Sequence, residues 1–148
     1  MVFEETELKN GQKLVTKLWN AFQFVQMQLA GFDPKASFDM TSLQSTDRWI
    51  LGRLNETVAT MQKHLDAYEI GLAKIHFEEF FWRDFCDMYL EMVKVRVYQP
   101  ERFVDGEKKK LAGQWTLYKV MYTIIRLLAP YIPHVTEEIY QAYFRQFE

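Results

Sequence analysis

The sequence predicts an all-α fold, a helix bundle of about five helices. Apolar residues recur every three or four positions over most of its length, and strand-like alternation is nearly absent. The four prolines fall between these periodic segments and punctuate them. Hydrophobic content of 49% and aromatic content of 16% suit a packed core rather than a disordered chain. The 148 residues fit one helical domain, 1–148, and a domain of that size buries roughly 70% of its unfolded surface.

The first helix is expected from about Thr6 to Ala30, with Leu14, Leu18, Phe22, Val25 and Leu29 on one face and Gly31 as its C-cap. Residues 31–44, GFDPKASFDMTSLQ, read as an ordered loop. A second helix begins near Ser45 to Asp47, all good N-cap types, and continues through Ile50, Leu54, Val58, Met61 and Leu65. The third runs from about Glu69 to Tyr98 and stops before Pro100. Its face of Ala73, Phe77, Phe80, Asp84, Met88, Met92 and Val95 leaves further aromatics off that face, so more than one neighbour must cover it. A fourth helix uses Leu111, Trp115, Tyr118, Tyr122, Ile125 and Leu128 until Pro130 and Pro133 break it. In the short fifth helix, Thr136, Glu137 and Glu138 suit the first turn.

Several function classes fall away. Lys+Arg 18 against Asp+Glu 20 leaves the domain without the overall basic charge of a self-sufficient nucleic-acid binder. Any such role needs a local patch or a second domain. The single cysteine, Cys86, has no internal disulfide partner, which fits a reduced, cytoplasmic setting. The opening MVFEETELKN is acidic and polar, unlike a signal peptide, and no apolar run approaches the ~20 residues of a membrane span. His64, His76 and His134 lie on different helices or helix ends, without Glu-x-x-His pairing, HExxH or a phosphate loop. Asp84, Asp87 and Glu91 imitate a paired-carboxylate row, but such rows are more often ion-paired or solvated. The chain alone is expected to hold no catalytic site, metal or cofactor.

The first helix offers something else. Lys9, Lys13, Lys17 and Asn20 follow i, i+4, i+8, i+11, and Gln12, Thr16, Trp19, Gln23 and Gln26 form a second polar stripe beside them. A solvated surface is the ordinary explanation of any lone lysine. Ammonium groups, amides and an indole on one outer side also suit an RNA backbone and unstacked bases. Lys108, Lys109 and Lys110 sit near the start of the fourth helix, where the macrodipole disfavours cations.

Four strings in order, KLWNAFQFV (Lys17 to Val25), DRWILGRL (Asp47 to Leu54), FFWRDFCDMYLEMVK (Phe80 to Lys94) and RLLAPYIPHVTEEIYQ (Arg126 to Gln141), carry a resemblance. Together they resemble the anticodon-binding helical domain of class I aminoacyl-tRNA synthetases for aliphatic amino acids, and DFCDMYLE is most like the valyl members. The resemblance covers nearly the whole chain and implies a module that grips the anticodon arm of a tRNA, that for valine, while an ATP-using catalytic domain of the same polypeptide attaches the amino acid. It implies neither DNA nor membrane as a partner, and it makes the chain a fragment of a longer synthetase or a free-standing relative. Where the family commonly has Arg before the Phe of the first motif, this chain has Gln23, which still hydrogen-bonds a base or ribose but brings no charge. By the same resemblance Phe32 stacks on an anticodon base, and Lys35 lies close enough to reach an adjacent phosphate. The ordinary alternative for a loop phenylalanine is that it folds back as a hydrophobic cap on the bundle end. Two alternatives stay open at this point: a protein-interaction module that does not bind tRNA, favoured by the net charge of −2 and by Gln23, and the equivalent isoleucyl domain.

Overall fold

Five of the apolar residues of the first helix, Leu14, Leu18, Phe22, Val25 and Leu29, are at most 2% exposed, so the predicted seam is the buried one. The computed structural model describes residues 4–148; Met1 to Phe3, part of the polar amino-terminal segment, lie outside the described residues. Helix α1 spans Glu5–Gln28. Its C-cap is Leu29 rather than the expected Gly31. Gly31 lies in the tight turn that follows, closed by the Phe32 N–H donating to the Leu29 carbonyl at 3.0 Å, with a φ of +76° that glycine adopts without steric cost. The Gln114 amide donates to the Gln28 carbonyl at 2.8 Å and so satisfies one of the orphan acceptors of that end.

Helix α2, Ser45–Asp66, starts after Gln44, whose backbone N–H donates to Asp47 Oδ2 at 2.9 Å. Ile50, Leu54 and Met61 are buried as expected. Leu65 is 42% exposed, because the chain turns there into the next helix. That turn places Tyr68 at φ 60°, and the His64 carbonyl accepts from the Glu69 N–H at 2.8 Å to close it.

The third predicted helix is one rod of three parts: α3 (Ile70–Glu79), a π-helical segment (Phe80–Tyr89) and α4 (Leu90–Tyr98). The π segment corrects the expected face. Ala73, Phe77, Phe80 and Asp84 are buried, but Met88, Met92 and Val95 are about 40% exposed. Beyond Asp84 the core is met instead by Phe85, Tyr89, Val93 and Val97. A four-residue step overshoots one turn of an α-helix, which holds about 3.6 residues. In the wider i→i+5 winding the same step falls short, so the drifts oppose each other. The outcome is a ladder of rings on one line: Phe77, Phe81, Phe85 and Tyr89, with successive centroids 5.7, 6.4 and 6.3 Å apart.

Helix α5, Gly106–Leu128, lies against this rod. Its start needs glycine: a Cβ on Gly106 would fall 1.8 Å from the Pro100 carbonyl oxygen. Its buried face is Ala112, Leu117, Val120, Met121 and Ile124 together with the expected Ile125 and Leu128. Of the other expected residues, Leu111 is exposed, and Trp115, Tyr118 and Tyr122 form a half-buried second face covered by the 31–44 loop and the carboxyl end. Phe38 stacks on Trp115 at 4.8 Å, and Phe144 sits 5.3 Å from Tyr118. Helix α6, Pro133–Ile139, continues through π-helical Tyr140–Phe144 and a final turn at Arg145–Phe147. With the three-part rod counted once, the bundle has five helices, and the described residues contain no strand.

Two ion pairs bind α2 to the rod. Asp47, fully buried, accepts from both terminal nitrogens of Arg96 (Nη1 to Oδ2 at 2.9 Å) and from the Tyr89 hydroxyl at 2.7 Å. Burial works against the Arg96 charge, but the hydrogen bonds and charge of Asp47 outweigh it and raise its pKa. Burial, followed by the Asp47 charge, pushes the Tyr89 phenol well above its ordinary value, so it remains a donor. Asp84 is likewise buried and accepts from Arg53 Nε at 2.9 Å and Arg83 Nε at 3.1 Å. The acids of the third helix thus divide: Asp84 is structural, while Asp87 and Glu91 are exposed. Cys86 is buried, and burial raises its thiol to about 12, the state of an inert packing residue.

Phe32 takes the capping place rather than the stacking one that the resemblance implies. Freed from the α1 periodicity by Gly31, it turns inward, is only 8% exposed and packs 5.8 Å from the Tyr118 ring. It caps the end of the bundle and offers no free face for a base.

Two stability predictions follow from this packing. Arg96→Met strands the Asp47 carboxylate in the core and should lower the unfolding free energy by about 3–5 kcal/mol in urea titration. Adding Asp47→Ala should cost less than the sum of the two single changes. Phe32→Ala should cost about 3 kcal/mol, as loss of a core ring does. An unchanged unfolding midpoint for Phe32→Ala would contradict the capping role.

Candidate nucleic-acid interface

The periodicity of α1 that buries Leu14 and Leu18 turns Lys9, Lys13 and Lys17 toward the neighbouring rod. The π segment meets them there with Trp82, which lies off the buried ring ladder and keeps part of its indole at the surface. Lys17 Nζ stands 5.6 Å from the centre of the Trp82 ring, a cation–π distance. A hollow of about 650 Å³ is lined by Lys9, Gln12, Lys13, Thr16, Lys17, Asn20 and Trp82. A second, of about 610 Å³, shares Lys13 and Trp82 and adds Asn10, Lys74, Ile75, Glu7 and Glu78. Together they form a trough between α1 and α3 with Trp82 at its middle.

Its charge is locally positive despite the net −2 of the chain. Lys9 is held 3.5 Å from Glu5, and Lys74 3.5 Å from Glu78, both as helical i,i+4 pairs. Such exposed pairs are weak and are exchanged readily for a stronger anion. Lys13 and Lys17 have no ion-pair partner among the described residues. The trough therefore presents ammonium groups, side-chain amides and an indole on one concave surface, the combination that suits phosphates and unstacked bases.

The remaining sequence candidates lie elsewhere. Gln23 is exposed on α1, about 9 Å along the axis beyond Lys17 at 1.5 Å per residue and outside the trough's lining. Lys35 is exposed beyond the end of α1, where its backbone N–H donates to Asp33 Oδ1 at 2.9 Å. Phe32 is in the core beside it. Lys108 and Lys110 stand in the first two turns of α5, across a separate hollow from Ala30 and Gly31. The structure thus groups Lys9, Lys13 and Lys17, and sets Gln23, Phe32 and Lys35 apart from them.

Two residues of the trough escape sequence reasoning. Trp82 reads there as one more ring in an aromatic helix, and nothing in its spacing shows that α1 brings lysines beside it. Lys74 lies on a different helix, so no spacing rule links it to Lys13. His64 and His76 stack at 5.0 Å where α2 meets α3, and no group of three metal-ligating side chains occurs among the described residues.

The family model for the anticodon-binding domain of tRNA ligase matches residues 47–148, from the buried aspartate of α2 to the last residue. Relatives carry the likeness through α1 as well. The chain is 40% identical to a valine–tRNA ligase of Rickettsia akari, over 97% of this chain and 18% of that one. Against the Anaplasma marginale valine–tRNA ligase it is 41% identical over 97% of this chain and 16% of the relative. Against that of Thermococcus kodakarensis it is 35% identical over 90% and 14%. The chain thus spans less than a fifth of the length of these relatives. The matched motifs are the ones that build the bundle: Asp47 and Arg53 of DRWILGRL make its two ion pairs, and Phe81, Phe85 and Tyr89 make its ring ladder. The chain belongs to the family of anticodon-binding domains of tRNA ligases.

Proposed function

We propose that this chain binds the anticodon arm of a tRNA, that for valine, as the RNA-gripping module of a valine–tRNA ligase. In this reading, valine activation and the use of ATP belong to a catalytic domain of the same polypeptide, and this module holds the arm so that the acceptor end meets that domain. The observation that carries the reading is the trough of Lys9, Lys13 and Lys17 on α1, a cationic surface on an otherwise slightly acidic domain of an anticodon-binding family. Identity near 40% to valine–tRNA ligases along almost the whole chain supports valine as the amino acid.

Each residue then has a role set by its chemistry. Lys9, Lys13 and Lys17 face phosphates, which draw ammonium groups without regard to sequence. Gln23, exposed on the same helix, donates to a base or ribose, and Lys35 reaches a phosphate beyond the end of α1. A cytoplasmic setting accords with the single buried thiol, and no helix among the described residues is long and apolar enough to cross a membrane.

Replacing Lys9, Lys13 and Lys17 together with Glu should weaken binding of valine tRNA at low salt while leaving the melting temperature nearly unchanged. The slope of log K against log salt should flatten by about 0.7 to 0.9 for every phosphate that the protein no longer neutralises. Fluorescence anisotropy at several salt concentrations measures both. Unchanged affinity and slope would mean that the three lysines are simply a solvated face.

A further inference from the structure

The trough holds one group that a purely electrostatic grip on RNA does not use. Trp82 is a large ring at its middle, flanked by Lys13 and Lys17, with Asn20 and Gln12 on the α1 wall. A helical phosphate backbone needs cations and has no use for an indole, whereas an unpaired nucleotide uses both. Its base stacks on an aromatic face without regard to base identity, and its phosphate lies against lysine. Trp82 meets the core edge-on at Phe81, with ring centroids 6.0 Å apart, yet stays only half-buried, so part of the indole remains open to the trough. The volume, about 650 Å³ on one side and 610 Å³ on the other, falls within the range of small-molecule sites.

We infer that the trough is the seat of one unpaired nucleotide of the bound RNA, with Trp82 stacking its base and Lys13 and Lys17 holding its phosphates. This rests on the reading of the chain as an RNA-binding module and adds a preference for an unpaired nucleotide. Lys17, now over the indole at 5.6 Å, would share that face with the incoming base or be displaced along its stem to the phosphate.

The test compares two RNAs, a hairpin with an unpaired loop and a fully paired duplex of equal length and charge, against three proteins: the unaltered chain, Trp82→Ala and Trp82→Phe. The unaltered chain should prefer the hairpin. Trp82→Ala should lose about 5- to 150-fold in affinity for the hairpin and little for the duplex, with the salt slope unchanged because every phosphate-facing lysine is still in place. Trp82→Phe should retain most of the preference, and circular dichroism of both variants checks that the bundle is intact. If Trp82→Ala keeps the full hairpin preference, the stacking seat is overturned while the lysine interface stands. If none of the proteins binds either RNA, both fail together. A preference abolished equally in Trp82→Ala and Trp82→Phe, with both folded, would assign Trp82 to a role other than stacking and also overturns the inference.

Discussion

The buried ion pair between Asp47 and Arg96 is the constraint on which the rest of the bundle depends. Asp47 is fully buried near the start of α2, and Arg96 lies near the end of the rod, so the pair fixes how far one helix can slide along the other. Removing a single partner leaves a charge in the core, which is far more costly than the net worth of the intact pair. Tyr89 adds a third hydrogen bond on the same carboxylate, and Arg53 with Asp84 repeats the arrangement farther along both helices. Two such clasps hold α2 and the rod in one register.

The π-helical stretch is the second constraint. Its winding keeps Phe77, Phe81, Phe85 and Tyr89 on one line into the core and turns Met88 and Met92 outward. Trp82, next in sequence to Phe81 of the ladder, leaves the rod about a quarter-turn away and reaches the α1 surface beside Lys17. Close approach supports the other side of the rod, where Gly113 of α5 brings its backbone against Val93.

Much of this is legible in the sequence. The α1 seam from Leu14 to Leu29 is strictly periodic, and Gly31 and Pro100 mark ends that only their backbone chemistry explains. The need of Asp84 for a polar partner is also legible, because a buried carboxylate demands one, although the identity of Arg53 is not. Helical phase is lost after Asp84, since π winding depends on the tertiary packing of consecutive rings and leaves no mark in a 3.6-residue count. The sequence leaves Phe32 between a cap on the bundle end and a ring open to a base, because its partner Tyr118 lies far along the chain on another helix. The lysine stripe is visible from spacing on one helix; the trough needs Trp82 and Lys74 from another.

The central claim is that RNA lies along the α1 trough, and lysine footprinting tests it most directly. The chain, free and saturated with valine tRNA, is treated with a limiting amine-acetylating reagent, and each lysine is read by mass spectrometry. The account predicts that Lys9, Lys13 and Lys17 lose reactivity in the complex while Lys119, which sits over Trp115 on α5, does not. Equal reactivity of Lys9, Lys13 and Lys17 in the free and saturated states would contradict it.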